Sequence, residues 1–180
     1  MTKVFWPSAA RYRQPVRRRA AFELTVAGTL VLVLMAVAVD RIWVLRAFAE
    51  RIAFNNTIGV LRDAVGMTIA SAMGKGHMAR LATWTGRNPM RLLALPPRNY
   101  VGVVESAKSR RIKPGTWYFD RTDRMLVYRP ADPAGLKTAL RPRRIRWQLQ
   151  AVFVRKGARE QVAGLRLVPM PRYVWRARGN

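Results

Sequence analysis

From Ala20 to Val39 apolar residues fill nearly every position (AAFELTVAGTLVLVLMAVAV), and Glu23 is the only charge. A helix rising about 1.5 Å per residue needs about 20 such residues to cross a hydrocarbon core of about 30 Å. A core helix normally keeps a polar stripe, and this run has none. A secretory signal would carry a shorter apolar run and then a small-residue cleavage site. Here DRIWVLRAFAER follows instead. The run therefore reads as a single-pass membrane anchor.

Beyond the anchor the apolar positions become periodic. Ile42, Leu45, Ala49 and Ile52 recur at helical spacing, and Phe54, Ile58, Leu61, Val65 and Ile69 continue on a rotated stripe. Arg41, Arg46, Glu50, Arg51, Arg62 and Asp63 supply the polar side. This predicts an amphipathic helix continuing from the anchor. It stops at Gly74-Lys75-Gly76, where glycine favours termination. A helix of that length exceeds what one small domain can cover, so its membrane-side half is expected to pack on lipid or on other chains.

Residues 77–99 read as short helices with a turn over Gly86 to Pro89 and a stop at Pro96-Pro97. The pattern then shifts to strands. Tyr100–Val104 is β-rich, and Trp117-Tyr118-Phe119 and Met125–Tyr128 flank DRTDR as a hairpin. Pro130–Gly135 is a loop. Ile145, Trp147, Leu149, Ala151 and Phe153 alternate with Arg144, Arg146, Gln148 and Gln150, the signature of a half-buried strand. Val162–Val168 follows across Lys156–Glu160 as its hairpin partner, and Tyr173–Trp175 is a last edge segment. The expected organisation is a basic leader (1–19), a transmembrane segment (20–39), the extramembrane half of a long helix (40–76), short helices and linker (77–99) and an antiparallel sheet domain (100–180).

Charge adds direction. Lys and Arg total 34 against 9 acids, a formal net charge of +25, and 28 of the cations are Arg. Such a balance favours anionic neighbours: head groups, nucleic acid or acidic polymers. Arg11, Arg13, Arg17, Arg18 and Arg19 precede the span, which places the N-terminus on the cytoplasmic side. There is no cysteine, so apolar packing rather than disulfides must close the sheet domain.

The order of basic leader, span with one early Glu, long helix and small sheet resembles the type IV pilin-like proteins, most closely the pseudopilins of type II secretion. The N-terminal likeness rests on Phe22-Glu23-Leu24 leading into TVAGTLVLVL. Aligned on Glu23, the family's cleavage-site Gly falls on Arg18 and its first mature residue on Arg19, so this sequence lacks that Gly. NPMRLLALPPRNY and GTWYFDRTDRMLVYR also look like a recurrent pattern of pilin-like proteins of this size.

The resemblance implies an α+β fold: a long N-terminal helix, half membrane span and half amphipathic, packed on a small antiparallel sheet. It implies an inner-membrane protein with its C-terminal domain in the periplasm, assembling with other pilin-like subunits into a secretion or pilus filament. Glu23 would be the assembly residue, pairing with the N-terminus of a neighbour. Arg18 and Arg19 would mark the region of leader processing by a prepilin peptidase.

No pattern points to catalysis, and the chain reads as a non-enzyme without metal or cofactor. His77 is the only histidine, which excludes a His-based metal cluster and, without Cys, makes a poor zinc set. Ala72–Gly76 fails as a phosphate-binding loop, because Ile69 stands at its first Gly and Gly76 where Ser or Thr belongs. Asp120 and Asp123 read as solvated turn charges interleaved with Arg121 and Arg124. Arg143, Arg144 and Arg146, within Arg141–Arg146, form the candidate polyanion contact, set against a solvated strand edge whose charges prevent pairing. Trp147 falls on the apolar face by alternation. Two alternatives therefore stand beside the filament subunit: a basic DNA-binding minor pilin, and an unprocessed bitopic scaffold.

Overall fold

In the computed structural model, residues 15–105, 112–140 and 142–176 are described. The chain divides into two units, Met1–Val44 and Leu45–Asn180. Helix α1, Pro15–Gly74, supplies all described residues of the first unit and the first element of the second. At the far end His77 N donates to Ala72 O at 2.7 Å and Gly76 N to Met73 O at 3.1 Å. This is a Schellman cap, and Gly76 occupies its left-handed position at φ 66°.

In the first unit the described side chains of α1 are exposed throughout. In the second, Phe54, Ile58, Leu61 and Val65 are buried on one stripe, with Ile69 packed beside them. The earlier apolar positions Leu45 and Ile52 stay outside this core. The turns after α1 are two 3-10 segments, Met78–Trp84 and Pro89–Leu92. Buried Asn88 caps the second by accepting from Met90 N at 3.1 Å.

The strands of the main sheet are β1 (Tyr100–Val104), β2 (Thr116–Asp120), β3 (Met125–Arg129), β5 (Ile145–Lys156) and β6 (Arg159–Pro169). Their order is β1-β2-β3-β5-β6. Short β4 (Leu136–Lys137) and β7 (Val174–Trp175) pair antiparallel as a second sheet. The expected wholly antiparallel sheet needs correction: β1 runs parallel to β2, so the main sheet is mixed. Parallel neighbours need a crossover rather than a tight turn. Pro114-Gly115 therefore ends a crossover, and Gly115, at φ 75°, donates its N–H to Arg129 O at 2.7 Å.

Ile112, in that crossover, is buried with Val104, Tyr118 and Val127 on the sheet face away from α1. Trp117, Phe119, Leu126, Tyr128, Ile145, Trp147 and Leu149 join α1 on the other face. Burial on both faces explains why β2 and β3 read as continuous apolar runs. The β2–β3 hairpin is as expected, in register from Thr116↔Arg129 to Asp120↔Met125. Strand β5 alternates as predicted through Leu149, after which Phe153 is exposed beyond a bulge between Val152 and Phe153.

The two-stranded sheet is closed by a glycine. At Gly135, φ 74°, a Cβ would lie 2.3 Å from Arg176 O. No side chain fits there, and Arg176 N donates to Gly135 O at 3.1 Å.

Candidate functional site: an exposed apolar helix and an arginine-rich sheet

Within the first unit Ala21–Val39 is the one described helical segment long and apolar enough to cross a membrane. Its mean hydropathy is 2.3 and none of it is buried. Its polar atoms are mostly answered inside the helix. Thr25 Oγ1 donates to Ala21 O at 2.6 Å and Thr29 Oγ1 to Thr25 O at 2.8 Å. Such back-bonding lets a hydroxyl sit in apolar surroundings. Glu23 is exposed on this segment and is its only ionisable side chain. Arg18 and Arg19 lie within α1 by their backbone. Arg11 and Arg13 lie outside the described residues.

The second unit is held to its own part of α1 by a residue that reads in sequence as an ordinary surface acid. Glu50 Oε1 accepts from Tyr128 Oη and from Ala131 N, both at 2.7 Å, and Oε2 accepts from Asp132 N at 3.2 Å. One carboxylate thus ties helix, β3 and the following loop together. Charge-assisted bonds of this kind are about twice as strong as neutral ones. Burial, reinforced by the neighbouring Glu50 charge, holds the Tyr128 phenol well above its ordinary pKa. Burial likewise pushes the Tyr173 phenol up to about 12. The Tyr100 phenol is raised by burial, against the opposing hydrogen bond from Asn88.

Next to Glu50, Arg51 Nη2 donates to Arg176 O at 2.7 Å, and its guanidinium lies 5.8 Å from the Trp175 ring centre. Phe54, Trp117, Tyr128, Tyr173 and Trp175 form an aromatic cluster around this point, with Phe54 stacked on Trp117 at 5.2 Å. Such ring pairs contribute on the order of 0.5–1.5 kcal/mol beyond their buried area.

The three candidate polyanion arginines are not equivalent. Arg143 is exposed and reaches Pro133 O at 3.4 Å. Arg144 Nη1 lies 3.4 Å from Tyr118 Oη, on the face away from α1. Arg146 pairs with Asp123 at 3.1 Å. Arg141 lies outside the described residues. Trp147 is buried, as alternation predicts, so it is core and no stacking platform.

Of the two hairpin aspartates, expected as solvated charges, Asp123 is exposed and Asp120 is not. Asp120 is buried and its Oδ1 accepts from Asp123 N at 3.1 Å, shaping the turn. Asp123 spends its carboxylate on Arg146. His77 is exposed, as expected of the loop after α1. It lines an open groove of about 410 Å³ together with Met67, Lys75, Arg80, Trp84 and Leu92. Among the described residues no three His, Cys, Asp or Glu side chains gather as a metal set.

The sequence signal for Glu50 was its position beside the buried stripe, but its partners lie 78 to 82 residues away. No local pattern announces them. Compared with known protein families, curated proteins and solved structures, the chain matches none.

Proposed function

We propose that this protein is a pilin-like subunit, anchored in the inner membrane by one span. It assembles through its N-terminal helix into a filament of the type II secretion or type IV pilus kind. The observation that supports this most is a division of labour within α1. Ala21–Val39 buries nothing in its own chain, while Phe54, Ile58, Leu61 and Val65 carry a sheet domain. A segment that apolar and that uncovered calls for lipid before assembly and for neighbouring helices after it. The basic leader puts the N-terminus in the cytoplasm and the sheet domain in the periplasm.

Glu23 then sets axial register. A charge inside a span costs on the order of 3 kcal/mol at the centre, which a neighbour's cationic N-terminus would offset. Glu23→Ala should leave the protein in the membrane fraction and reduce its co-isolation with other pilin-like subunits. Undiminished co-isolation would remove Glu23 from this role. The partners implied are those subunits, the assembly proteins and a prepilin peptidase.

A second reading, an unprocessed bitopic scaffold, is favoured by one observation. Arg18 stands where the family has Gly, and α1 starting at Pro15 places Arg18-Arg19 within helix. A peptide bond held in helical hydrogen bonding is a poor protease substrate. The two readings part at the N-terminus of the mature chain.

A further inference from the structure

Leu45–Asn180 carries 27 basic and 7 acidic side chains, and most of these acids are already engaged. Glu50 holds Tyr128 and the loop, Asp120 is buried in its turn, and Asp132 accepts from Ala134 N. Glu105 pairs with Arg121, and Asp123 with Arg146. The excess cations are not spread evenly over the sheet.

Along β5, Trp147 and Leu149 face α1, so Arg146, Gln148, Gln150, Val152 and Val154 face away. The register brings Arg166 opposite Gln150 and, past the bulge, Gln161 opposite Val154 and Arg159 opposite Lys156. Cross-strand partners share a face. Arg144 joins this outer face through Tyr118. Glu160 is in register with Arg155 on the other side. The outer face of the β5–β6 ribbon thus presents Arg144, Arg146, Arg159 and Arg166 around Gln148 and Gln150. Asp123 is the one carboxylate shown to meet it, at Arg146. Arg159 and Arg166 are exposed.

We infer that this ribbon face binds double-stranded DNA. Three features select that ligand among polyanions. First, beyond Trp147, where β3 no longer pairs with β5, the face is a two-stranded antiparallel ribbon, one of the shapes the major groove admits. At about 3.3 Å per residue its length is close to one turn of B-DNA, about 34 Å. Second, no aromatic side chain is exposed on it: Trp147 is on the opposite face and Tyr118 is buried. Single strands need such stacking platforms. Third, its apolar groups are Val152, Val154 and Val168, with Met170 beside Gln150, and it carries no Phe, Leu or Ile to insert into a lipid surface. Gln150 Nε2 donates to Gln148 Oε1 at 2.9 Å, and Arg and Gln are side chains that read base edges. The inference is independent of filament assembly.

The test is fluorescence anisotropy of a labelled 20-base-pair duplex with the full chain in detergent micelles, from 50 to 200 mM salt. Arg159→Gln with Arg166→Gln should weaken binding at 50 mM salt at least tenfold. It should also reduce the slope of log affinity against log salt by about 2, one for each lost phosphate contact. Lys75→Gln with Arg80→Gln removes the same charge from the groove beside α1 and should change affinity less than threefold. Equal losses in the two double variants would overturn the ribbon site in favour of bulk charge. Absence of duplex binding, with phosphatidylserine vesicles bound instead and released by the ribbon variant, would overturn it in favour of a lipid surface. Matching far-UV circular dichroism confirms that each variant folds. If the ribbon pair does not fold, Arg159→Gln alone decides, with a threefold loss supporting the site and no loss overturning it.

Discussion

Residues 21–39 and residues 54–65 belong to one helix but answer to different surroundings. In the first segment every described side chain is exposed, Leu34 at 60% and Phe22 at 70%. In the second, the four positions Phe54, Ile58, Leu61 and Val65 are between 0% and 5% exposed. Helix propensity and the continuous backbone are shared, so the difference lies in the pattern. Apolar residues on all faces leave no side for water, whereas one apolar stripe per turn fits one sheet face. A single element can thus carry two patterns, one apolar on every face and one with a single stripe that seats a folded domain.

Damaging each segment alone should separate their roles. Leu61→Ala removes a fully buried side chain and should cost the sheet domain about 2–5 kcal/mol, while the protein stays in the membrane fraction. Leu34→Arg should cost insertion about 2.5–3.5 kcal/mol and leave the thermal unfolding of the sheet domain unchanged. Thermal melts and membrane fractionation of both variants check the pair. If Leu34→Arg lowers the melting temperature as Leu61→Ala does, the two segments do not act separately.

Smaller in effect is the Glu50 clamp. Glu50→Gln keeps the size but replaces an acceptor-only carboxylate facing three donors. A loss of about 1–3 kcal/mol is expected from donors left poorly answered. A hydrogen-exchange experiment should show the backbone N–H of Ala131 and Asp132 opening faster. Unchanged exchange there would mean that the clamp does not hold the loop.

Smallest is the response to alkali. A folded-state phenol pKa raised above its ordinary value of about 10 gives stability that is fully present below that value. It is lost as pH rises through the folded pKa. For Tyr173 that window runs from about 10 to about 12. The sheet domain should therefore melt at falling temperature across this range, and Tyr173→Phe should flatten the decline. A decline equally steep in the variant would assign it to other groups, Tyr128 first.

The sequence revealed whatever depends on local period. The apolar helix Ala21–Val39, the Phe54–Ile69 stripe, the stop at Gly76, the β2–β3 hairpin and the alternation of Ile145, Trp147 and Leu149 were all legible in the order of apolar and polar residues along the chain. What it hid depends on direction or distance. Composition marks Tyr100–Val104 as a strand but not whether it runs with or against β2. The pairing of Leu136–Lys137 with Val174–Trp175 joins segments too short to carry a pattern. Glu50 resembles any helix-surface acid until Tyr128, Ala131 and Asp132 are brought beside it. Asp120 looked solvated because Arg121 and Arg124 are interleaved with the two aspartates of the turn, but it is buried. Of the basic run, residue type identified Arg144 and Arg146, but only the strand register adds Arg159 and Arg166 to their face.

The proposed role as a membrane-borne assembly subunit with its leader removed turns on where the mature chain begins. The most direct measurement is the intact mass, with N-terminal sequence, of the protein purified from its native membrane. A mature chain beginning near Arg19, with or without a methyl group, is expected. A chain beginning at Met1 or Thr2 would contradict it and leave a membrane-anchored scaffold that keeps its basic leader.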